Sequence, residues 1–557
     1  MVFIFQNILK EKQYLNNIVK INDTEYNFDF ILRNGDIVPL IMYINGTRFP
    51  YILPDIFINT KKQTYIPNIP HITSNGYICY LDKEGVVWSD NSVKIFDYIF
   101  HRVESVFFEE DGIEGIQREF QYYFSQIKDI EYMFSRITEA NIVKKIKIYL
   151  SHKDNIKLAF DDEENPNMNE IEHAQVKNAI YIPFSKALDI YVPNKFKFWS
   201  KEEINKLILR CVSEENIEIL KKISKPTRQS YYILNILLVD GQTVFIGLKY
   251  DNKSYDSKNE VKIPLILEES DGVEVKPLYV ERMDDKKSLS RGGAITNGDK
   301  FNILVIGCGS VGSDVIFQLA RSGFKNITIV DYDKYSRDNM YRHFLGKSRD
   351  RIGKYKSILM EEELSIRYDN MKIIAHKKDI FELLENNEIA LKDYSLVISA
   401  IGDVNKERLL SKYILNCKTP IIYSWVEAFG LGGHAVLTNN GNKGCYNCLI
   451  TEQLRCKVNF AGKSNKPFVK NFGGCLGTFT PYGSMDSMQT AIIATRLAND
   501  CLVNKMQGNK ILSWKGDCKL FLENGYTVDE TYNSFNNATG IRNDIDFNGC
   551  EYCNDKA

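Results

Sequence analysis

No stretch of this 557-residue chain approaches the ~20 consecutive apolar residues that a membrane-spanning helix needs. Neither sign of charge is in excess: 71 Lys and Arg stand against 72 Asp and Glu, a net charge of −1. That balance argues against a polybasic membrane-surface protein or a general nucleic-acid binder. Proline is scarce, at 14, while 44% of residues are hydrophobic, so the chain is neither fibrous nor disordered. The opening Met1-Val2-Phe3-Ile4-Phe5-Gln6-Asn7 lacks a basic region and turns polar too early for a secretory signal. The expectation is a cytoplasmic protein of about three to five domains, at roughly 100–200 residues each.

Cysteine, in contrast, occurs twelve times. Without an export signal these thiols are expected to be reduced, and metal-binding or catalytic ones are favoured over a disulfide framework. Cys79 stands alone in the first two hundred residues, Cys211 is isolated, and the rest fall between Cys308 and Cys553.

Residues 1–150 read as an α+β domain: a helical opening, a strand across Asp36–Tyr43, a loop-rich stretch, and a helical pattern after Asp111 (Ile113, Ile116, Phe120, Tyr123). Residues 151–290 read as an α+β middle or linker domain. There, apolar runs at Tyr231–Val239 and Thr243–Leu248 flank Asp240-Gly241 as a hairpin. No motif with chemistry is evident in that region. Residues 291–557 read as α/β.

The α/β segment opens with the buried-strand run Asn302–Ile306. It enters Gly307-Cys308-Gly309-Ser310-Val311-Gly312, an amphipathic helix, and a second strand ending at Asp331. This is the order of a mononucleotide-binding βαβ unit, in which glycines admit phosphates to a helix N-terminus and the acid holds ribose hydroxyls. Asp333, Asn339, Arg342, Lys356 and Asp403 follow. Cations and acids beside a phosphate cradle suit the triphosphate of ATP and its Mg²⁺.

The order Gly-x-Gly-x-x-Gly, Asp-x-Asp, Asn-x-x-Arg, Gly-x-x-Lys and Asp resembles the ThiF/MoeB/HesA superfamily, which includes the ubiquitin-activating enzymes, over roughly residues 285–557. The resemblance implies a Rossmann-like adenylation domain. In it Asp331, Asn339, Arg342 and Lys356 contact ATP, Asp403 serves the magnesium, and the C-terminal carboxylate of a partner protein is adenylated. It further implies a homodimer, with Arg291 as a loosely matched candidate for an arginine supplied to the neighbouring site.

Cys445-Tyr446-Asn447-Cys448 and Cys550-Glu551-Tyr552-Cys553 are two Cys-x-x-Cys knuckles. Cys445, Cys448, Cys550 and Cys553 together would close a tetrahedral structural Zn²⁺ site, a split pair that ThiF-like relatives also carry. Cys475, in Gly473-Gly474-Cys475-Leu476-Gly477-Thr478, precedes Pro481-Tyr482-Gly483 and a helix. The same resemblance implies a catalytic cysteine there, taking an acyl group as a thioester. Cys211, Cys308, Cys417, Cys456, Cys501 and Cys518 read as packing residues.

Cys79 lies between Ile69-Pro70-His71 and Trp88, downstream of Phe49-Pro50-Tyr51. This resembles the active-site segment of ubiquitin-conjugating enzymes over roughly residues 1–135, which implies a second thioester carrier. One departure matters: His71 occupies the position of the motif asparagine. It either donates an equivalent hydrogen bond to the oxyanion or shapes the turn.

A conjugating-like domain, a middle domain and an activating-like domain in this order resemble the bacterial fusions found in anti-phage CBASS operons. That resemblance implies conjugation of a cGAS/DncV-like nucleotidyltransferase, through its C-terminal tail, to a target amine, with no membrane and no direct nucleic-acid partner. Two alternatives stay open. One is an activator of a sulfur-carrier protein in cofactor biosynthesis, with an inert Cys79; the other is a nicotinamide-dependent oxidoreductase built on the glycine fingerprint.

Overall fold

Strands β1 (Leu15–Lys20), β2 (Glu25–Ile31), β3 (Ile37–Tyr43) and β4 (Asp55–Ile58) pair in that order as an antiparallel sheet. β2 and β3 bury alternate residues, so one face is apolar. Helix α1 (Val2–Lys10) opens the chain, and helix α2 (Ser92–Phe108) covers the sheet. Ile95, Phe96, Ile99, Phe100 and Val103 recur at helical spacing on α2 and share one core with Phe28, Phe30, Leu40 and Ile56. Rings stack within it, Phe49 on Phe96 at 4.8 Å.

This computed structural model describes the chain except residues 1, 64–68, 70, 74, 82–90, 109–118, 152–156, 163–173, 188–197, 225–227, 253–263, 269–271, 347–348, 369, 472–477, 548 and 555–557. The described chain falls into two units, Met1–Asp284 and Asp285–Ala557. The helical pattern expected after Asp111 lies partly outside the described residues; Phe120 and Tyr123 sit on helix α3 (Phe120–Ser125).

The rest of the first unit is a closed barrel. Strands β5 (Glu131–Ser135), β6 (Lys144–Leu150), β7 (Lys157–Asp161), β8 (Gln175–Pro183), β9 (Gln229–Leu237), β10 (Thr243–Asn252) and β11 (Val273–Arg282) close in the order β10-β11-β5-β7-β6-β8-β9. The hairpin expected across Asp240-Gly241 is present, with Leu237 opposite Thr243 and Gly241 at φ +83. The division expected at residue 150 passes between β6 and β7, which pair in this barrel, because closure joins β5 to β11 across the whole region. Helices α4 (Lys201–Cys211) and α5 (Glu214–Ile223) pack their apolar stripes on it, and Ser200 with Glu203 forms the capping box that starts α4.

In the second unit α6 (Asp285–Arg291) precedes an eight-stranded sheet. Its strands are β12 (Asn302–Ile306), β13 (Asn326–Val330), β14 (Lys372–His376), β15 (Leu396–Ser399), β16 (Ile421–Val426), β17 (Gly432–Thr438), β18 (Lys510–Lys515) and β19 (Thr539–Ile541), in the spatial order 14-13-12-15-16-17-18-19. The first five are parallel and the last three antiparallel. The central strands are apolar on both faces because helices cover both. Among them are α7 (Ser310–Arg321), α8 (Lys356–Arg367), α9 (Ile380–Glu385), α10 (Val404–Ile414) and α11 (Ser484–Leu502). The order reverses beside β12, between β13 and β15, so this Rossmann-like sheet has its crevice at the C-terminal ends of those strands. No helix among the described residues is long and apolar enough to cross a membrane.

One buried ion cluster locks the barrel. The Arg282 guanidinium donates to both Asp284 carboxylate oxygens at 2.7 and 2.9 Å and to Glu139 Oε1 at 2.6 Å, 4.3 Å from the Phe245 ring. Replacing Arg282 with Met leaves the buried Asp284 without its cation, while the half-buried Glu139 keeps the Thr243 hydroxyl, and should cost about 3 kcal/mol. A fall in the urea midpoint at unchanged m-value would register it.

Candidate functional site

β12 ends at Ile306 and the chain turns through Gly307-Cys308-Gly309 into α7. Two of the three glycines are demanded by internal packing. A Cβ on Gly312 would lie 1.9 Å from the Gly307 carbonyl oxygen, and one on Gly307, at φ +91, would lie 2.7 Å from the Ala400 oxygen. Gly309 differs, since no atom lies within 4 Å of its Cβ position. The bare backbone there borders open space, which is what close approach of a phosphate to a helix N-terminus requires.

Asp331 fixes this turn. Its Oδ2 accepts the Cys308 N–H at 2.5 Å and its Oδ1 the Asp333 N–H at 2.7 Å. Burial nevertheless raises its pKa above the ordinary carboxylate value. His343 supports the same turn from behind. The Leu345 N–H donates to its Nδ1 at 3.2 Å, so Nε2 carries the proton and donates to the Cys308 carbonyl at 2.8 Å. Burial pushes the imidazole down to about 4, so it is neutral.

Two recesses share Gly309, Ala400 and Ile401. The first, about 130 Å³, is lined by Gly307, Asp331, Tyr332, Asp333 and Lys406. The second, about 310 Å³, is lined by Ser310, Arg342, Glu407, Trp425 and Tyr482. Arg342 reaches the Thr480 carbonyl at 3.3 Å and lies 5.0 Å from the Tyr482 ring, whose hydroxyl shares a 2.6 Å hydrogen bond with Ser310. Lys356 is buried and pairs with Asp333 at 2.9 Å. The Asn339 side-chain oxygen accepts from the Ser336 N–H and hydroxyl at 3.0 and 3.1 Å, and Asn339 lines neither recess. Asp403 is the N-cap of α10, its Oδ1 accepting the Asn405 and Lys406 N–H groups. Arg291 ends α6 and lines neither recess.

The four knuckle thiols converge. Sγ–Sγ separations are 3.6 Å for Cys445–Cys550, 3.5 Å for Cys448–Cys553, 3.9 Å within the first knuckle and 3.8 Å within the second. A tetrahedron with Zn–S bonds of about 2.3 Å has edges of about 3.8 Å, so the set fits Zn²⁺ with no open position. The first knuckle also grips α10: Arg408 Nε donates to Asn447 Oδ1 at 3.1 Å, and Asn447 Nδ2 returns a bond to the Arg408 carbonyl at 3.3 Å.

In the first unit Cys79 is exposed. Its N–H donates to the His71 carbonyl at 2.7 Å, and Ile72 bridges Ile78 beside it. His71 takes φ +66, a left-handed turn conformation uncommon for a non-glycine residue, and its Nδ1 is 3.0 Å from Glu119 Oε1. Pro70, Trp88 and Cys475 lie outside the described residues. Two-residue strands, Lys470–Asn471 and Thr478–Phe479, pair on either side of the Cys475 segment. Burial raises the thiols of Cys211 and Cys308, and those of Cys456 and Cys501 to about 12 and 11, consistent with packing roles.

Residues 297–507 match the ThiF family. The chain is 29% identical over 146 residues to SUMO-activating enzyme subunit 2 of Dictyostelium discoideum, covering 26% of this chain and 22% of that one. It is 28% identical over 124 residues to the NEDD8-activating enzyme E1 catalytic subunit of the same organism, covering 22% and 27%. It thus spans about a quarter of those two relatives' lengths. Similarity to the ATP-dependent ubiquitin transferase-like protein Cap2 of Escherichia coli (strain TW11681) is lower but longer, 21% over 508 residues, covering 79% and 82%. A crystal structure of E. coli MccB with ATP aligns at 19% identity and TM-score 0.33 over 46% of this chain and 67% of that one.

Within the region that matches the ThiF family, sequence reasoning missed Glu407. It sits on α10 four residues after Asp403, buried, its Oε1 accepting from Ser399 at 3.3 Å, and desolvation lifts its pKa to about 8. At neutral pH the second recess therefore gains no negative charge from it. Lys406, which bonds Asp379 at 3.2 Å and Tyr332 at 3.3 Å, was also missed. Acids and lysines at helical spacing read as a solvated face, and only the fold buries Glu407 and brings Lys406 to the edge of the first recess.

Gly309 and Gly312 should therefore respond differently to Ala. G312A should lower the melting temperature by several degrees at least, as overpacking costs about 1–3 kcal/mol or more. G309A should leave melting unchanged while weakening nucleotide binding measured by calorimetry. Metal analysis should return one zinc per chain. Deleting residues 548–557 should abolish it and destabilise the second unit.

Proposed function

We propose that this protein uses ATP to activate the C-terminal carboxylate of a partner protein and passes the acyl group through Cys475 and Cys79 to an amine. The observation that carries the reading is the cleft at Gly309, bare of side chain, with Asp331 on one side and Arg342 on the other, inside a domain matching the ThiF family. ATP would lie across the turn, its ribose toward Asp331 and its phosphates toward Gly309, Lys356 and Arg342, with Asn339 at the edge of the site. With Asp403 Oδ1 committed to the helix cap, Oδ2 would hold Mg²⁺, which supplies charge neutralisation to the departing pyrophosphate.

The carboxylate oxygen attacks the α-phosphorus, the bond to pyrophosphate breaks, and an acyl-adenylate forms. The Cys475 thiolate then attacks the acyl carbon and AMP leaves. In the sequence Cys475 stands five residues before Thr480, which borders the cleft. Cys79 displaces Cys475, and an amine displaces Cys79 to leave an amide. The Cap2 similarity supports a two-part machine, because 508 aligned residues exceed either structural unit alone. We take the substrate to be a cGAS/DncV-like nucleotidyltransferase, the protein to act in the cytoplasm as a homodimer with Arg291 reaching the neighbouring site, and its first domain to be ubiquitin-conjugating-like.

C475A should retain ATP–pyrophosphate exchange but load neither cysteine, and C79A should trap the thioester at Cys475 and yield no conjugate. Arg342→Ala should slow exchange about 100-fold. Non-reducing gels with a cGAS/DncV-like nucleotidyltransferase as the substrate read the loading. Normal conjugation by C79A would sink the relay, and NAD(H) binding without pyrophosphate exchange would sink the adenylation chemistry.

A further inference from the structure

The surroundings of Cys79 carry a second titratable pair. Ile72 and Ile78 face each other across a small antiparallel bridge and are both buried, 3% and 0% exposed. The next pair outward along that ladder is His71 and Cys79, joined by the 2.7 Å bond from the Cys79 N–H to the His71 carbonyl. With the two isoleucines buried, that backbone bond sets His71 and Cys79 side by side at the open end of the bridge, Cys79 exposed and His71 half-buried.

Glu119 arrives from the start of α3, 48 residues further along the chain, and holds His71 Nδ1 at 3.0 Å. Burial raises its carboxyl pKa, but the hydrogen bond and charge of His71 and the Tyr123 hydroxyl outweigh that and hold it below the ordinary value. Tyr122 lies within electrostatic reach of Glu119, Cys79 and Tyr77, which brings acid and thiol to one locality. Among the described residues, the titratable groups of this locality besides Cys79 are Glu119, Tyr123, Tyr122, Tyr77 and, beyond Tyr80, Asp55. A non-glycine residue held in the left-handed region is also a strained position of the sort that clusters at active sites.

We propose that His71 is the base for the amine that attacks an acyl group on Cys79, with Glu119 as its positioning residue. The inference rests on Cys79 being an acyl carrier, as set out above. The amine nitrogen bonds to the thioester carbon, the C–S bond breaks with its electrons going to Cys79 sulfur, and the nitrogen gives one proton to neutral His71. Glu119 stabilises the imidazolium, which then returns the proton to the thiolate or to water. Thioester and amine become amide and thiol, with nothing oxidised or reduced. A carboxylate behind the imidazole raises its basicity and fixes its orientation, the combination a general base needs.

The test uses the full chain carrying C475A. Cys79 is loaded by exchange with a glycyl-peptide mercaptoethanesulfonate thioester and discharged onto free lysine, followed on non-reducing gels from pH 5.5 to 9. H71N is the informative variant. Asparagine accepts the left-handed backbone and can still donate a hydrogen bond to the oxyanion, but it cannot take the proton. It should load as the parent does and discharge about 100-fold more slowly near neutral pH. The ratio of parent to H71N rates cancels the titration of the amine and should rise with pH through one inflection. E119Q should load normally and move that inflection to lower pH, because the imidazolium loses its carboxylate. Equal discharge by parent and H71N, or an E119Q inflection that does not move, overturns the assignment. Failure of the parent to load Cys79 overturns the acyl-carrier reading and this inference with it.

Discussion

Everything in the second unit is arranged around the point where α7 starts under the end of β12. Residue 312 leaves no room for a Cβ against the Gly307 carbonyl, and residue 307 leaves none against Ala400. These contacts weld strand, turn, helix and the neighbouring strand β15 into one block. The Asp331 carboxylate then braces that block by taking the Cys308 and Asp333 N–H groups. The open space at Gly309 exists because its two partner glycines are so tightly committed. Open backbone and structural weld are made of the same six residues.

Features that depend on short-range pattern were readable from the chain alone. The run Asn302–Ile306, the glycines after it and the acid at the end of the next strand need only local order to declare a βαβ unit, and it is there. The two knuckles were equally legible, since each is a single tight turn and only their meeting is long-range. Closure of the barrel was not legible. It depends on β11 lying parallel to β5 from the far end of the region, and nothing local to Glu131–Ser135 announces that partner. For the same reason a division at residue 150 looked natural in sequence and passes between two paired strands in space.

The candidate sites divide along the same line. The expected nucleotide residues Gly307, Gly309 and Asp331 border one recess, and Arg342 borders the one adjoining it. Lys356 and Asn339 hold neighbours of the turn, Asp333 and Ser336. Glu407 was missed because a glutamate in a lysine-rich helix carries no local sign of being buried, and only packing against β15 removes it from water. Of the two sequence readings of His71, the turn-shaping one is visible in the backbone. Its backbone shapes the turn and its ring meets Glu119, a partner no spacing rule connects to it.

The joining of the two knuckles also has a topological side. A metal held by Cys445, Cys448, Cys550 and Cys553 closes the roughly hundred residues between them into a ring, and a cross-link of that span removes about 4–5 kcal/mol of entropy from the unfolded chain. The Cys475 segment and all of α11 lie on that ring. Such a metal would tie both ends of that ring to one point and, through Asn447 and Arg408, to the helix that Asp403 begins.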